Sequence, residues 1–427
     1  MKILNPRQLA VWPHILVFTL LINIPLVQAA TENIQNAPSS LSNFILSQMA
    51  DHPDLLATQA EVQSAKAALR ASNQAVYNPE LELEYEETDV TTKSVGFRQT
   101  IDWGDQQGSR TAVAKAELQK ATANYDRAIQ SLIRNLLTHL AENQTKNRLS
   151  QLSDSSLKLM SEFRMIAERR YQAGDLSQVE LNLARLAYNQ ALMEQANTLS
   201  DKAEAREALR AIMAVMPSFL PALPDQLPEP KLNNDLEAFL QQLPSIRGSL
   251  ADVQVTRQQV LLRKSEKAWN PTVGFSAGSE GEESLVGFNL SIPLNVRNSY
   301  SAEVEAAQKT FFANEMKALT AYRNTRANLV STTERYQNLL KAWNNWRQYS
   351  RDSVQQQLQL IKQLWQAGDL SAADYLLQLK QALETQATGL ELRNQLWQVA
   401  FDWMSLTASI DDWLNINTEL LGKNGHE

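Results

Sequence analysis

Residues 80–87 read ELELEYEE, with Leu81, Leu83 and Tyr85 alternating against Glu80, Glu82, Glu84 and Glu86. A period of two sends successive side chains to opposite faces, so the stretch predicts a β-strand with one apolar and one acidic face. The polar stretch TDVTTK turns the chain, and Val95, Phe97 and Ile101 then alternate with Gly96, Arg98 and Thr100. The device recurs farther on: Val273 and Phe275, a GSEGEES loop, then Val286, Phe288, Leu290 and Ile292 alternating with Gly287, Asn289 and Ser291. Two amphipathic β-hairpins are predicted, at 80–102 and 272–294.

After each hairpin the period lengthens. From about Gln106 to Gln172, and from about Tyr300 to Gln366, there is no proline and no glycine after Gly108. At 1.5 Å per residue, about 67 residues make a helical rod of roughly 100 Å. Leu132, Leu136 and Leu140, then Leu149, Leu152 and Leu157, are spaced for a coiled-coil seam. Shorter helices, about His52 to Tyr77 and about Leu243 to Trp269, precede the hairpins and run into Asn78-Pro79 and Asn270-Pro271. Proline lacks the N–H and pushes its predecessor out of the α region, so each helix ends there.

The rods end in nearly the same words, YQAGDLS at Tyr171 and WQAGDLS at Trp365. Gly174 and Gly368 supply the left-handed residue that closes a helix. Ser177 with Glu180, and Ser371 with Asp374, read as capping boxes that open the returning helices, about Ser177 to Val215 and Ser371 to Leu406. The landmarks recur at nearly constant offset: Tyr77-Asn78-Pro79 with Trp269-Asn270-Pro271, Val95-Gly96-Phe97 with Val286-Gly287-Phe288, and the two turns. The chain is therefore an internal duplication. A first repeat covers 30–216, a second 243–410, a proline-rich connector 217–242 lies between them, and a tail occupies 411–427.

At the N-terminus Lys2 and Arg7 precede an apolar run from Ile15 to Val27, and Val27-Gln28-Ala29 suits cleavage. This is the pattern of a secretory signal over residues 1–29, with Asn23 and Pro25 interrupting the run against an anchor reading. Its removal leaves 38 basic against 47 acidic residues, a net charge of −9. An acidic exported chain is a poor nucleic-acid partner. The sequence contains no cysteine, which excludes disulfides, thiolate metal sites and a lipidated first residue. No other stretch is apolar enough to span a bilayer as a helix, so membrane passage falls to the strands.

Four strands leave two unpaired edges, and unpaired backbone in lipid costs several kcal/mol per group. The strands must then be shared: three copies give a 12-stranded barrel. Its apolar face meets lipid, Glu82, Glu84 and Glu86 face the lumen, and Tyr77, Trp103 and Trp269 form an aromatic girdle at the strand ends. The fold class expected is mainly α with a small β part, the rods hanging from the barrel into the periplasm.

The order NPELELE, VGFRQTIDWG, YQAGDLS, NPTVGF, VGFNLSIPLNVRN, WQAGDLSAADYLL resembles the TolC-like outer-membrane efflux family over essentially the whole mature chain. VGFRQTIDWG and SIPLNVRN are most similar to the heavy-metal subgroup, the outer-membrane subunits of cobalt, zinc and cadmium resistance systems. The resemblance implies a homotrimer in the outer membrane of a Gram-negative bacterium, its rods forming a periplasmic α-helical tunnel, docking to a periplasmic membrane-fusion adaptor and an inner-membrane proton-driven pump of the RND type. It implies passive conduction, with no catalysis and no cofactor. It places acids of a periplasmic aperture at Asp374, with Asp369, Asp175 and Glu180 on the equivalent turns, and adaptor contacts at Gly174, Leu176, Ser177, Gly368, Leu370 and Ser371.

Each of these residues also has a plainer use. Acids in a first helical turn offset the macrodipole, and capping is the preferred reading for Asp175 and Asp369, the pore ring for Asp374. Leu176 and Leu370 also suit hydrophobic staples. His52, His139 and His426 are too scattered to assemble a transition-metal site, so the chain is not expected to select its cargo by coordination. Trp343 and Trp346 read as packing of coil against coil or equatorial segment in preference to a ligand stack. Multidrug efflux and type I secretion predict the same architecture, so cargo stays open. A periplasmic structural coiled coil would not need amphipathic hairpins, and no clustered nucleophile and base points to an enzyme.

Overall fold

The structure, a computed structural model, describes residues 36–217, 219–231, 235–349 and 351–416. The signal segment, His426 and the end of the tail lie outside the described residues.

Two short helices open the fold, α1 (Ser39–Met49) and α2 (Pro53–Ser72). His52 caps α2, its Nδ1 accepting from the Asp54 N–H at 3.2 Å, which leaves Nε2 protonated to donate to the Ile212 carbonyl, also at 3.2 Å. α2 stops five residues short of Tyr77. Its last carbonyls are taken by the following helix instead: Thr111 donates to Ser72 O at 3.0 Å and Gln107 to Asn73 O at 2.6 Å.

Strands β1 (Glu80–Glu87) and β2 (Thr91–Thr100) lead to α3 (Gln106–Gln172), a single helix of 67 residues with the predicted limits. α4 (Gln178–Ala211) returns along it. The proline-rich connector follows, its end forming α5 (Leu236–Gln242). Then come α6 (Pro244–Ser265), β3 (Thr272–Glu280) and β4 (Glu283–Ser291). The second rod is described as α7 (Ser301–Tyr349) and α8 (Arg351–Ala367), on either side of residue 350, which lies outside the described residues. α9 (Ala372–Leu406) returns, and α10 (Ile410–Leu414) closes the chain.

The two hairpins join through β2 and β3 into one antiparallel sheet of order β1-β2-β3-β4. Its register aligns Leu81, Phe97, Phe275 and Phe288 in one row, and Glu82, Gly96, Ser276 and Gly287 in the next. The GSEGEES stretch is shorter as a loop than its polarity predicts. β3 and β4 pair on to Glu280 and Glu283, leaving Gly281 and Glu282 at the turn, with Gly281 at φ +61°. A two-residue turn with a left-handed glycine matches the twist of the paired strands, so pairing extends through polar residues.

Two hydrophobic cores hold the helices. The larger gathers Leu41 and Ile45 of α1, Ile133 to Leu140 of α3, Tyr336 of α7, Phe401 and Met404 of α9, and Trp413 of α10. Part of the expected tail is thus core. The smaller lies toward the helical turns, around Met160, Phe163, Trp365 and Tyr375. The seam of α3 follows the prediction at Leu132, Leu136 and Leu140 but not beyond. Leu149, Leu152 and Leu157 are only half-buried, while Asn143, Thr145, Ser150 and Ser153 are buried. Small residues let α3 and α4 approach closely there, and the Ser153 and Thr198 hydroxyls bond at 2.6 Å, so leucines are displaced to the flanks.

Candidate functional site: the paired helical turns and the sheet

Both QAGDLS turns are Schellman motifs. Gly174 at φ +85° lets its N–H bond to Tyr171 O at 3.0 Å and that of Asp175 to Arg170 O at 2.8 Å. Gly368 at φ +91° does the same, with Gly368 N–H to Trp365 O at 3.2 Å and Asp369 N–H to Leu364 O at 3.0 Å. A Cβ in this conformation costs roughly 1–2 kcal/mol, hence glycine twice.

The returning helices differ in their caps. Ser177 and Glu180 form a reciprocal capping box: Ser177 Oγ accepts from the Glu180 N–H at 3.2 Å, and Glu180 Oε2 accepts from the Ser177 N–H at 3.0 Å. Ser371 accepts from the Asp374 N–H at 3.1 Å and donates its hydroxyl to the Asp374 carboxylate at 2.7 Å, without the return bond to its own N–H. Aspartate is one methylene shorter than glutamate and does not close the expected box. The carboxylates of Asp175 and Asp369 make no hydrogen bond among the described residues; both residues serve the turns through their backbone N–H.

The fold sets the two turns side by side. Arg170, just before the first turn, donates to Trp365 O at 2.9 Å and Gln366 O at 3.4 Å, capping the end of α8. Its guanidinium lies 4.5 Å from the Trp365 ring centroid. Glu180 in turn faces the backbone N–H of Ala372, the first residue of α9. The Ser177 N–H, the Ser177 hydroxyl and this Ala372 group hold the Glu180 carboxyl below the usual range. Under the turns, Trp365 stacks on Tyr375 at 5.3 Å with Phe163 edge-on at 5.2 Å, and burial pushes the Tyr375 phenol up to about 12. Leu176 and Leu370 are half-buried against this core, while Gly174, Ser177, Gly368 and Ser371 are exposed.

The sheet presents the opposite chemistry. Leu81 is 72% exposed, Leu83 74%, Val286 73% and Phe288 66%, all on one face. On the other, Arg98 lies 3.4 Å from both Glu80 and Glu82, and Ser94 donates to Glu84 at 2.9 Å. Glu86 sits in the last row, opposite Thr92. β1 and β4 are edge strands with no partner among the described residues. Trp103 and Trp269 are exposed where the sheet meets the helices; Tyr77 is half-buried and its hydroxyl accepts from Asn270 Nδ2 at 3.0 Å.

Asn270 and Asp102 escaped sequence reasoning. Asn270 is 8% exposed, and its Oδ1 accepts from the N–H groups of Trp103 at 3.0 Å and Gly104 at 3.3 Å, tying the Asn-Pro corner of one repeat to the strand exit of the other. Asp102 receives the N–H groups of Gln106 and Gln107, each at 2.8 Å, and so caps α3 from outside it. The only signal for either was position beside a breaker.

No helix among the described residues is long and apolar enough to cross a membrane. No group of three or more His, Asp or Glu positioned to hold a metal occurs among them.

A small antiparallel sheet carried on two long helical hairpins is the architecture of the TolC-like channels, and comparison with solved structures shows that fold. CusC superposes with a TM-score of 0.73 at 16% identity, covering 90% of this chain and 95% of that one. The outer membrane channel CmeC of Campylobacter jejuni gives 0.72 at 13% identity, covering 90% and 91%. The open state of the Neisseria gonorrhoeae outer membrane channel MtrE gives 0.71 at 16%, covering 87% and 89%. Residues 46–215 match the model of the outer membrane efflux protein family. No curated protein matches the chain by sequence.

Proposed function

We propose that this chain is the outer-membrane exit duct of a tripartite efflux system in a Gram-negative bacterium, conducting its cargo passively. The observation that carries the reading is the sheet: one largely exposed apolar face, a polar face, and two free edges, built on two helical hairpins. Such a sheet is stable in lipid only when β4 of one copy pairs with β1 of the next. Three copies close 12 strands, with Glu82, Glu84 and Glu86 facing the lumen and Trp103, Trp269 and Tyr77 at the interface with lipid headgroups. The exposed α4 residues Val179, Leu186 and Met193, at seven-residue spacing, supply a helical seam between copies.

In this reading the QAGDLS turns are the periplasmic tip. Gly174, Leu176, Ser177, Gly368, Leu370 and Ser371 meet the adaptor, which links the duct to a proton-driven inner-membrane pump. Threefold symmetry makes rings of Asp374, Asp369, Glu180 and Asp175, which attract cations. Heavy-metal cations are the cargo we favour, on the likeness of VGFRQTIDWG and SIPLNVRN to the metal-efflux subgroup.

Reconstitution in planar bilayers tests the duct and its ring together. Discrete, cation-selective conductance is expected, with Asp374→Ala reducing the cation preference at unchanged insertion frequency; absence of conductance from folded protein would refute the duct. Deletion of the gene should sensitise cells to divalent metals, with restoration by the gene. Sensitivity to dyes and antibiotics alone would replace the metal cargo with a drug cargo.

A further inference from the structure

Helices α3, α7, α8 and α9 line a half-open cleft of about 1120 Å³, bordered by Trp343 of the larger core and Leu383 of the smaller. That is slightly above the roughly 300–1,000 Å³ of clefts that take drug-sized molecules. Its aromatic wall is the stacked pair Trp343 and Trp346, with ring centroids 5.1 Å apart and planes 17° from parallel. The pair lies against α9 because residue 389 is glycine: a Cβ there would sit 2.2 Å from a Trp346 ring carbon.

Buried donors are left over around this wall. Arg393 is 6% exposed and wedged at 4.2 Å from the Trp397 ring centroid and 5.8 Å from that of Trp343. Its Nη2 binds Asp225 of the connector, yet its Nε, and the Nε1 of Trp346, are buried without an acceptor. Each such donor destabilises the fold unless something accepts from it. The charge is unbalanced in the same direction. Asp225 is the only carboxylate lining the cleft among the described residues and is taken by Arg393, while Lys362 is taken by Glu162 at 2.7 Å. Arg148 and Arg347, on the same lining, have no carboxylate partner among the described residues.

We propose that this cleft binds an amphipathic organic anion, a planar aromatic body with a carboxylate or sulfonate head. Cation-flanked tryptophans take the flat body, Arg148 and Arg347 meet the head, and the spare Arg393 and Trp346 donors find acceptors. A cationic ligand of the same shape meets two arginines that have no carboxylate partner among the described residues and is rejected. Because α3, α7 and α9 each contribute a binding residue, an occupied cleft cross-braces the helical hairpins. Binding of a ligand to the folded state alone raises thermal stability. The site does not depend on the duct reading, since it lies within one chain.

The test is calorimetric titration of the purified full-length protein in a nonionic detergent with 1-naphthalenesulfonate, and with 1-naphthylmethylammonium as the matched cation. Saturable binding of the sulfonate with Kd below ~1 mM and a raised melting temperature is expected, with no saturable binding of the cation. The Arg148→Gln/Arg347→Gln double variant, at exposed and half-buried positions, should keep its helicity and weaken the sulfonate at least about tenfold; Trp346→Leu should weaken it independently. Equal binding of the cation, no saturable heat from folded protein, or unchanged affinity in the double variant would overturn the proposal. So would loss of the oligomer in that variant with affinity intact, which would assign the arginines to a neighbouring copy. Bilayer conductance, measured separately, reports on the duct whichever way the titration falls.

Discussion

Glu180 holds the Ser177 N–H and the Ser177 hydroxyl of its own turn, and its half-buried carboxylate faces the Ala372 N–H at the head of α9. The bonds favour the charged form, so its folded pKa lies below the ordinary 4.5. A group whose pKa is depressed on folding contributes stability above its unfolded pKa and loses it as pH falls through the folded value. The cap should therefore be fully present above about pH 4.5 and fade on further acidification. Hydrogen-exchange protection of the Ser177 amide, corrected for intrinsic rates, is expected to drop across that range and to lose its pH dependence in Glu180→Gln. Equal acid sensitivity in both proteins would dissociate the carboxylate from the cap. Asp374, at the matching position, is spent on its own Ser371 hydroxyl, so sequence-equivalent acids do unequal work.

Among the elements, the proline-rich connector shows how a segment without regular structure is held. Proline has no N–H, so such a chain offers mostly carbonyls. The helices supply the donors: Gln144 of α3 to Pro221 O at 2.7 Å, Trp397 of α9 to Pro224 O at 3.2 Å, and Tyr336 of α7 to Pro228 O. Leu223 and Leu227 sink into the core between these grips. A similar economy governs the junction of sheet and helices, where Asn270 satisfies three groups from inside the fold. Asn270→Ala strands the Trp103 and Gly104 donors, and a loss of about 2–6 kcal/mol in unfolding free energy is expected from two groups at roughly 1–3 kcal/mol each. Asn270→Asp keeps the acceptor and gives up the donation to Tyr77, so it should cost less. Denaturant titration orders the two variants, and an equal or reversed order would remove Asn270 from this role.

At the scale of the whole molecule the unfinished part is the sheet. Its two edges are three strand spacings apart, about 14 Å at ~4.8 Å each. A cysteine-free chain makes proximity between copies easy to read. Glu84→Cys on β1 combined with Leu285→Cys or Asn289→Cys on β4, all on the polar face, should yield covalent dimer and trimer with a short bismaleimide in outer-membrane fractions. A reagent near 8 Å cannot span the sheet within one chain, so products confined to the monomer would disprove closure by edge pairing.

The repeating parts were legible because each rests on a local rule. Strand alternation, the 67-residue run of α3 and the glycine of each turn follow from periods of two and 3.6 and from the Cβ penalty at positive φ, all visible within a few residues. The upper seam of α3 was not, because which side of a helix is buried depends on its partner: small α4 residues beside Ser150 and Ser153 reversed the preference for Leu149, Leu152 and Leu157. Nor could the sequence set Arg170 against Trp365, or Asn270 beside Trp103, since those bonds join residues more than 160 positions apart. The sequence by itself determined the elements, their order and their duplication, because local sterics and periodicity specify them. Tertiary structure alone decided which turns touch, which donors are left over and where a cleft opens, because those depend on distances that only packing creates.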